Sequence, residues 1–302
     1  MATNLKRDWE ATFNVWSQPL GKVEEEKSEN AVRAVRQAIA ASDALKDRGV
    51  TTHLQGSYRN RTGVRQESDV DVYVLYSKAF FHNEIPLPDT LASLGFTTAA
   101  YGYTDFRDDI HRALASHFGS EHVEPGNKAF KVHENTHRLD ADVVACLEYR
   151  HYYRDNYGGL RDAKGTALYA RDGTRVTNFP EQQYENGTLK NQAVFERFKL
   201  MVRIFKKLSC EMTDAGIAAA EPMTSFLLES LVWNLPNVVF YGTSWLERVD
   251  QALGGLWTGL REHAGSIWYE ENGIKPLFGG EQKWTSAQVR DFVQAAWDYT
   301  RA

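Results

Sequence analysis

Apolar and polar positions alternate with a period of two through Asp69-Val70-Asp71-Val72-Tyr73-Val74-Leu75. The run predicts a strand that sends Val70, Val72 and Val74 into a core and keeps Asp69 and Asp71 together on the other face. Arg138 to Tyr149 is a second acid-bearing strand on the same reading, with Asp140 and Asp142 sharing a face, and it pairs across a polar link with a strand over Lys128 to Val132. Gly49 to Leu54 predicts a short strand. Asp172-Gly173, between Ala167–Arg171 and Thr174–Phe179, is a two-residue hairpin turn signal. Helical spacing governs Leu5 to Lys46, read as one long supporting helix interrupted or capped at Ser28, then Asp105 to Phe118 with Thr104 as N-cap, and Asn191 to Met212. No period holds from Ser77 to Gly102, which predicts loop with short elements. Past Pro180 the pattern is helical to the end, so the expectation is an α+β chain: a mixed-sheet domain over 1–180 and a helical domain over 181–302.

Composition narrows the function. The formal net charge of −5 over 302 residues argues against a broad nucleic-acid-binding face. Cys146 and Cys210, the only cysteines, exclude a disulfide framework and a Cys-rich zinc ribbon. His133, His137 and His151 have no third ligand near them in the sequence and are expected at the surface rather than on zinc. Nothing reads as a signal peptide or a membrane span, so the expected location is the cytoplasm, away from membranes.

The candidate chemistry sits at Gly56-Ser57 and the acid strands. Two carboxylates side by side call for a cation, and carboxylate oxygens with substrate phosphates are the ligand set Mg²⁺ favours. Gly56 permits close backbone approach to a phosphate and the Ser57 hydroxyl can hold one. A third carboxylate comes from Asp140 or Asp142; spacing does not separate them, and Asp142, deeper in its apolar run, is preferred, with Asp140 as fallback.

These features resemble the DNA polymerase β-type nucleotidyltransferase superfamily and, more narrowly, the CD-NTases, the bacterial relatives of cyclic GMP-AMP synthase in anti-phage CBASS signalling, nearest to their E clade. GSYRNRTGVRQESDVDVYV (56–74), HRLDADVVACLEYR (137–150), VTNFPEQQYENG (176–187), FKLMVRIFKKL (198–208) and PMTSFLLESLVWNLPN (222–237) carry the likeness. Related sequences often have Pro where Ala145 follows Val144 here, a change in backbone shape beyond the acids.

The resemblance implies a nucleotidyltransferase that makes a cyclic dinucleotide from nucleoside triphosphates, for a downstream cyclic-nucleotide-activated effector. It implies two Mg²⁺ ions, with Mn²⁺ as substitute, on Asp69, Asp71 and Asp142, and a helical lobe that closes the nucleotide cleft. Gln55, Gly56 and Ser57 would touch the nucleotide, Arg203 and Lys206 the triphosphate, Ser225 a phosphate and Phe226 the base. Asn178 would face the acceptor base, where its amide matches the N–H and carbonyl of uracil, favouring ATP and UTP as substrates and cyclic UMP-AMP or cyclic di-UMP as product. Read from residues alone, Arg203 and Lys206 form a basic face opposite the stripe of Val194, Phe198, Met201 and Phe205. Ser225 is a polar residue at a helix start, Phe226 is core, and Asn178 is a turn former. The rival readings are a related enzyme that modifies a small molecule, protein or RNA end, and a nucleotide sensor without chemistry.

Overall fold

The computed structural model describes residues 7–64, 69–262, 268–280 and 282–301. In chain order its elements are α1 (Trp9–Trp16), α2 (Lys22–Ala41), β1 (Val50–Leu54), α3 (Gly56–Asn60), β2 (Val70–His82), α4 (Tyr103–Phe118), β3 (Val123–Pro125), β4 (Phe130–Val132), β5 (Ala141–Arg154), β6 (Leu160–Tyr169), β7 (Arg175–Asn178), α5 (Pro180–Ala193), α6 (Arg197–Asp214), α7 (Ser225–Asn234), α8 (Trp245–Glu262) and α9 (Ser286–Tyr299). Packing divides the chain into a sheet unit, residues 21–58 and 67–180, and a helical unit, residues 1–20, 59–66 and 181–302.

The sheet unit is built on one 7-stranded mixed sheet in the order β1-β2-β5-β4-β3, with β6 alongside the far half of β5 and β7 outside β6. Among the described residues only β2 and β5 run parallel, joined by a crossover that contains α4, β3 and β4. The alternation in the acid strands settles which face is dry. Val70, Val72 and Val74 of β2 and Ala141, Val143 and Ala145 of β5 pack with Val35 and Ile39 of α2 and Phe106, Ile110 and Leu114 of α4. Both helices therefore cover one face. On the other, a smaller cluster of Tyr73, Cys146, Leu168 and Ala170 lies beyond Asp71 and Asp142.

Four local expectations are corrected. Leu5 lies outside the described residues, and Ser28 neither breaks nor caps a helix: it is buried within α2, its hydroxyl donating to the Glu25 carbonyl. The interruption falls at 17–21, where Pro19 and Gly21 stand, and it separates α1 from α2. Gly102 rather than Thr104 caps α4. β2 runs on to His82 through a register shift between Tyr76 and Phe80, which erased the alternation a strand would show. The helix expected from Asn191 to Met212 is two helices, parted at Phe195 and Glu196, whose φ values are 56° and 61°.

In the helical unit, Trp9 and Phe13 of α1 join a core with Phe198, Met201 and Phe205 of α6 and with apolar residues of α7, α8 and α9. Residues 7–20 and 59–64, which sequence order places with the first domain, thus pack with the helical unit. Among the described residues no helix is long and apolar enough to cross a membrane. Phe13 is fully buried, so Phe13→Ala is expected to cost about 3–5 kcal/mol. Chemical denaturation would measure it; a loss below about 1 kcal/mol would show that α1 is peripheral to this core.

Candidate active site

The parallel register pairs Asp71 with Asp142, and the antiparallel register of β4 with β5 pairs Asp142 with Lys131. Residues directly opposite in neighbouring strands share a face, with strands about 4.8 Å apart. Asp71, Asp142 and Lys131 therefore form a row across three strands, and Asp69 stands just before β2. Lys131 Nζ lies 3.0 Å from Asp69 Oδ2 and 3.1 Å from Asp140 Oδ2. Its hydrogen bond to Asp69, and then that to Asp140, raise its pKa above the ordinary lysine range.

The two acids that spacing leaves equivalent have different surroundings. Burial opposes the charge of Asp140, but the backbone N–H of Glu134 and the Lys131 ammonium more than offset it, so its pKa lies below the usual carboxylate range. Burial pushes the pKa of Asp142 up, and the charge of Asp69 adds to the shift against a smaller opposing pull from Lys131. Asp142 is the carboxylate with unmet charge, beside Asp71.

Gly56 has a φ of +67°, and a Cβ there would lie 2.1 Å from Asp71 Oδ2, so the carboxylate packs where only glycine leaves room. The Gln55 backbone N–H donates to the Asp71 carbonyl at 2.9 Å. Ser57 lies within α3: the chain turns at Gly56 directly into that helix. Asn178 ends β7 opposite Thr166, which itself opposes Glu148, so by the period of two it belongs to the same sheet face as Asp142. Its side chain is exposed, and the turn-former reading gives way to a strand end.

Arg203, Lys206, Ser225 and Phe226 belong to the helical unit. Arg203 and Lys206 are not on a solvated basic face: both are buried. Arg203 donates to the carbonyls of Ser17, at 2.6 Å, and Arg61, at 2.5 Å. Lys206 Nζ lies 3.5 Å from Glu229 Oε2 and 3.5 Å from Thr62 Oγ1. Glu229 also accepts from Asn60 at 2.9 Å and Thr62 at 3.0 Å. These basic groups hold the segment 60–62, a role hidden from helical spacing because their partners are distant in sequence. Thr224 caps α7 and Ser225 is its first residue; Phe226 is half-buried, its ring centroid 6.2 Å from that of Trp284.

Lys131 is the site residue missed from the sequence, where it looked like one polar position in a short strand. His133 faces Glu124 at 3.7 Å. Among the described residues no three His, Cys, Asp or Glu side chains are gathered as a metal-holding group; in the acid cluster the Lys131 ammonium stands between Asp69 and Asp140.

The folded state binds a proton on Asp142 more tightly than the unfolded state does, so its ionisation penalises folding fully at neutral pH and not at all below the ordinary carboxylate pKa. Asp142→Asn is therefore expected to raise Tm by roughly 1–3 °C at pH 7 in metal-free buffer, with the gain fading as pH falls through the carboxylate range. A lower Tm at pH 7 would show that the charge is already compensated.

Residues 185–301 match the profile of the cGAS/DncV-like nucleotidyltransferase C-terminal helical domain. The chain is 39% identical over 295 residues to the cyclic dipyrimidine nucleotide synthase CdnE of Legionella pneumophila, covering 97% of this chain and 98% of that one. The solved CdnE c-UMP-AMP synthase of Rhodothermus marinus, with Apcpp and Upnpp, superposes with a TM-score of 0.83 at 29% identity, over 96% of this chain and 95% of that one. The CdnE cyclic dinucleotide synthase of Elizabethkingia meningoseptica, with GTP and Apcpp, gives a TM-score of 0.80 at 31% identity, over 96% and 98%. On sequence, fold and the row of acids on the sheet face opposite α2 and α4, the chain belongs to the cGAS/DncV-like nucleotidyltransferases, among the CdnE cyclic dinucleotide synthases.

Proposed function

We propose that this protein joins nucleoside triphosphates into a uracil-containing cyclic dinucleotide, cyclic UMP-AMP or cyclic di-UMP, with pyrophosphate released at each of two transfers. The observation that carries the chemistry is the pairing of Asp71 with Asp142 on the sheet face that α2 and α4 leave uncovered, with Asp69 beside them. The resemblance to synthases named for dipyrimidine and UMP-AMP products supports the choice of base.

The donor set suits a hard divalent cation. Asp69, Asp71 and Asp142 offer only carboxylate oxygens, Asp142 has its pKa raised by burial and by Asp69, and the cluster already draws in an ammonium. These three residues would hold Mg²⁺, as a pair of ions, with Mn²⁺ as substitute. Held by these residues, such a cation would supply Lewis-acid chemistry, making an attacking hydroxyl easier to ionise and offsetting triphosphate charge.

The remaining roles fall to the chain itself. Gly56 lets backbone approach the phosphates, with Gln55 and Ser57 as flanking contacts, and Asp142 faces the acceptor hydroxyl. Asn178 presents an exposed donor and acceptor on the Asp142 face, suited to the imide edge of uracil. Ser225 and Phe226, at the start of α7, are the candidates for a phosphate and a base contact. Arg203 and Lys206 act indirectly, through the segment 60–62 that they hold. The product would serve as a signal to a cyclic-nucleotide-activated effector in anti-phage defence, made in the cytoplasm where the triphosphates are.

Purified protein incubated with the four ribonucleoside triphosphates and Mg²⁺ or Mn²⁺ should give a phosphatase-resistant product identified by mass. Asp69→Asn with Asp71→Asn should abolish it, by about 10³-fold or more, without lowering Tm; retained product would overturn the acid-cluster reading. Leaving out UTP should remove the main product, and Asn178→Ser should raise purine incorporation severalfold. An unchanged product in both assays would show that Asn178 does not select the base.

A further inference from the structure

Lys131 and Asp140 have no part in the roles above, yet they are built into the acid cluster. The backbone of β4 is pinned to β5 by the pairs Lys131 with Asp142 and Val132 with Ala141. From there the Lys131 side chain reaches sideways to Asp69 and Asp140 at nearly equal distances, 3.0 and 3.1 Å. Asp140 is held on both sides: its carboxylate accepts from the Glu134 backbone N–H, and its carbonyl accepts from Val70 N–H at 2.8 Å, one residue after Asp69. Asp142 accepts no such hydrogen bond among the described residues.

We infer that Lys131 is a resident cation of the acid cluster, which competes with a divalent ion for Asp69, and that Asp140 is its counter-charge rather than a metal ligand. The ammonium holds Asp69 against its acidic neighbours while no metal is bound. When a divalent ion arrives, the fixed carboxylate of Asp140 gives Lys131 somewhere to go. Lys131 and Asp140 are thus positioning residues that set how strongly the cluster binds metal before a nucleotide is present. A cation 3.0 Å from a ligand oxygen repels an incoming divalent ion at a range well inside the Debye length, where dissolved salt screens little.

The inference rests on the reading of Asp69, Asp71 and Asp142 as metal ligands, and metal binding itself tests both. Mn²⁺ alone would be titrated into nucleotide-free protein and followed by water-proton relaxation, with Asp69→Asn plus Asp71→Asn as the control and thermal melts to confirm folding. Lys131→Met should tighten Mn²⁺ binding by about tenfold, and Lys131→Gln, which keeps a polar group without the charge, should do the same. Asp140→Asn should weaken binding severalfold in the wild-type background, because Lys131 then leans wholly on Asp69, and clearly less in the Lys131→Met background. If Asp140 ligates the metal, its loss costs at least as much without Lys131 as with it, and that result overturns the assignment. Weaker binding in both Lys131 variants would overturn the competition. Wild-type binding no stronger than the control would remove the metal reading and this inference with it.

Discussion

The parallel register of β2 against β5 is the constraint on which the site depends. It places Asp71 beside Asp142, two like charges that repel at strand spacing. A slip of one residue would turn Asp142 toward the helices and bring Val143 into the row. The slip is opposed by the dry face, where Val70, Val72, Ala141 and Val143 are all buried with α2 and α4. The apolar half of the alternation thus holds the charged half in place. Gly56 adds a second lock, since its bare α-carbon is the surface on which the Asp71 carboxylate rests.

The two units handle buried charge differently. In the sheet unit the acid cluster is left partly uncompensated, with Asp142 shifted up by burial and by Asp69. Crowded carboxylates of this kind cost stability, a common arrangement at functional sites. In the helical unit, Glu229 receives Asn60, Thr62 and Lys206. Its neighbour Glu271, buried and close to that charge, has its pKa raised well above the ordinary value. Breaking a network of this kind leaves a buried charge unpaired, which is far more costly than losing a surface pair. Its place in the structure is to bind the strip 60–62 into the helical core.

The fold alone does not choose the nucleotide. The Rhodothermus marinus and Elizabethkingia meningoseptica proteins superpose on this chain almost equally well, with TM-scores of 0.83 and 0.80, yet one is a c-UMP-AMP synthase solved with Apcpp and Upnpp and the other was solved with GTP and Apcpp. Base choice must then rest on individual side chains presented by a shared frame. Asn178 presents an exposed amide on the sheet face of Asp142, and its backbone is closely seated, since a Cβ at Gly165 would collide with the Asn178 carbonyl.

Local pattern was enough for the acid strands, the Asp172-Gly173 hairpin, the α+β class and the change to helices after Pro180, because period and turn chemistry act over a few residues. It also preferred Asp142 to Asp140, on the argument that a carboxylate deep in an apolar run needs compensation; the folded chain gives the two different surroundings, with Asp140 held by the Glu134 N–H and Lys131 and the pKa of Asp142 raised by burial. What local pattern missed depends on partners distant in sequence. Ser28 reads as a break because its burial within α2 is invisible locally, and α1 reads as part of the sheet domain because its core partners come some 180 residues later. Arg203 and Lys206 looked like a solvated face for the same reason, since Ser17, Arg61, Thr62 and Glu229 meet them only after folding. Lys131 became part of the site only when β4 fell into register with β5. Periodicity identifies which residues share a face, but register and packing decide which charges meet there.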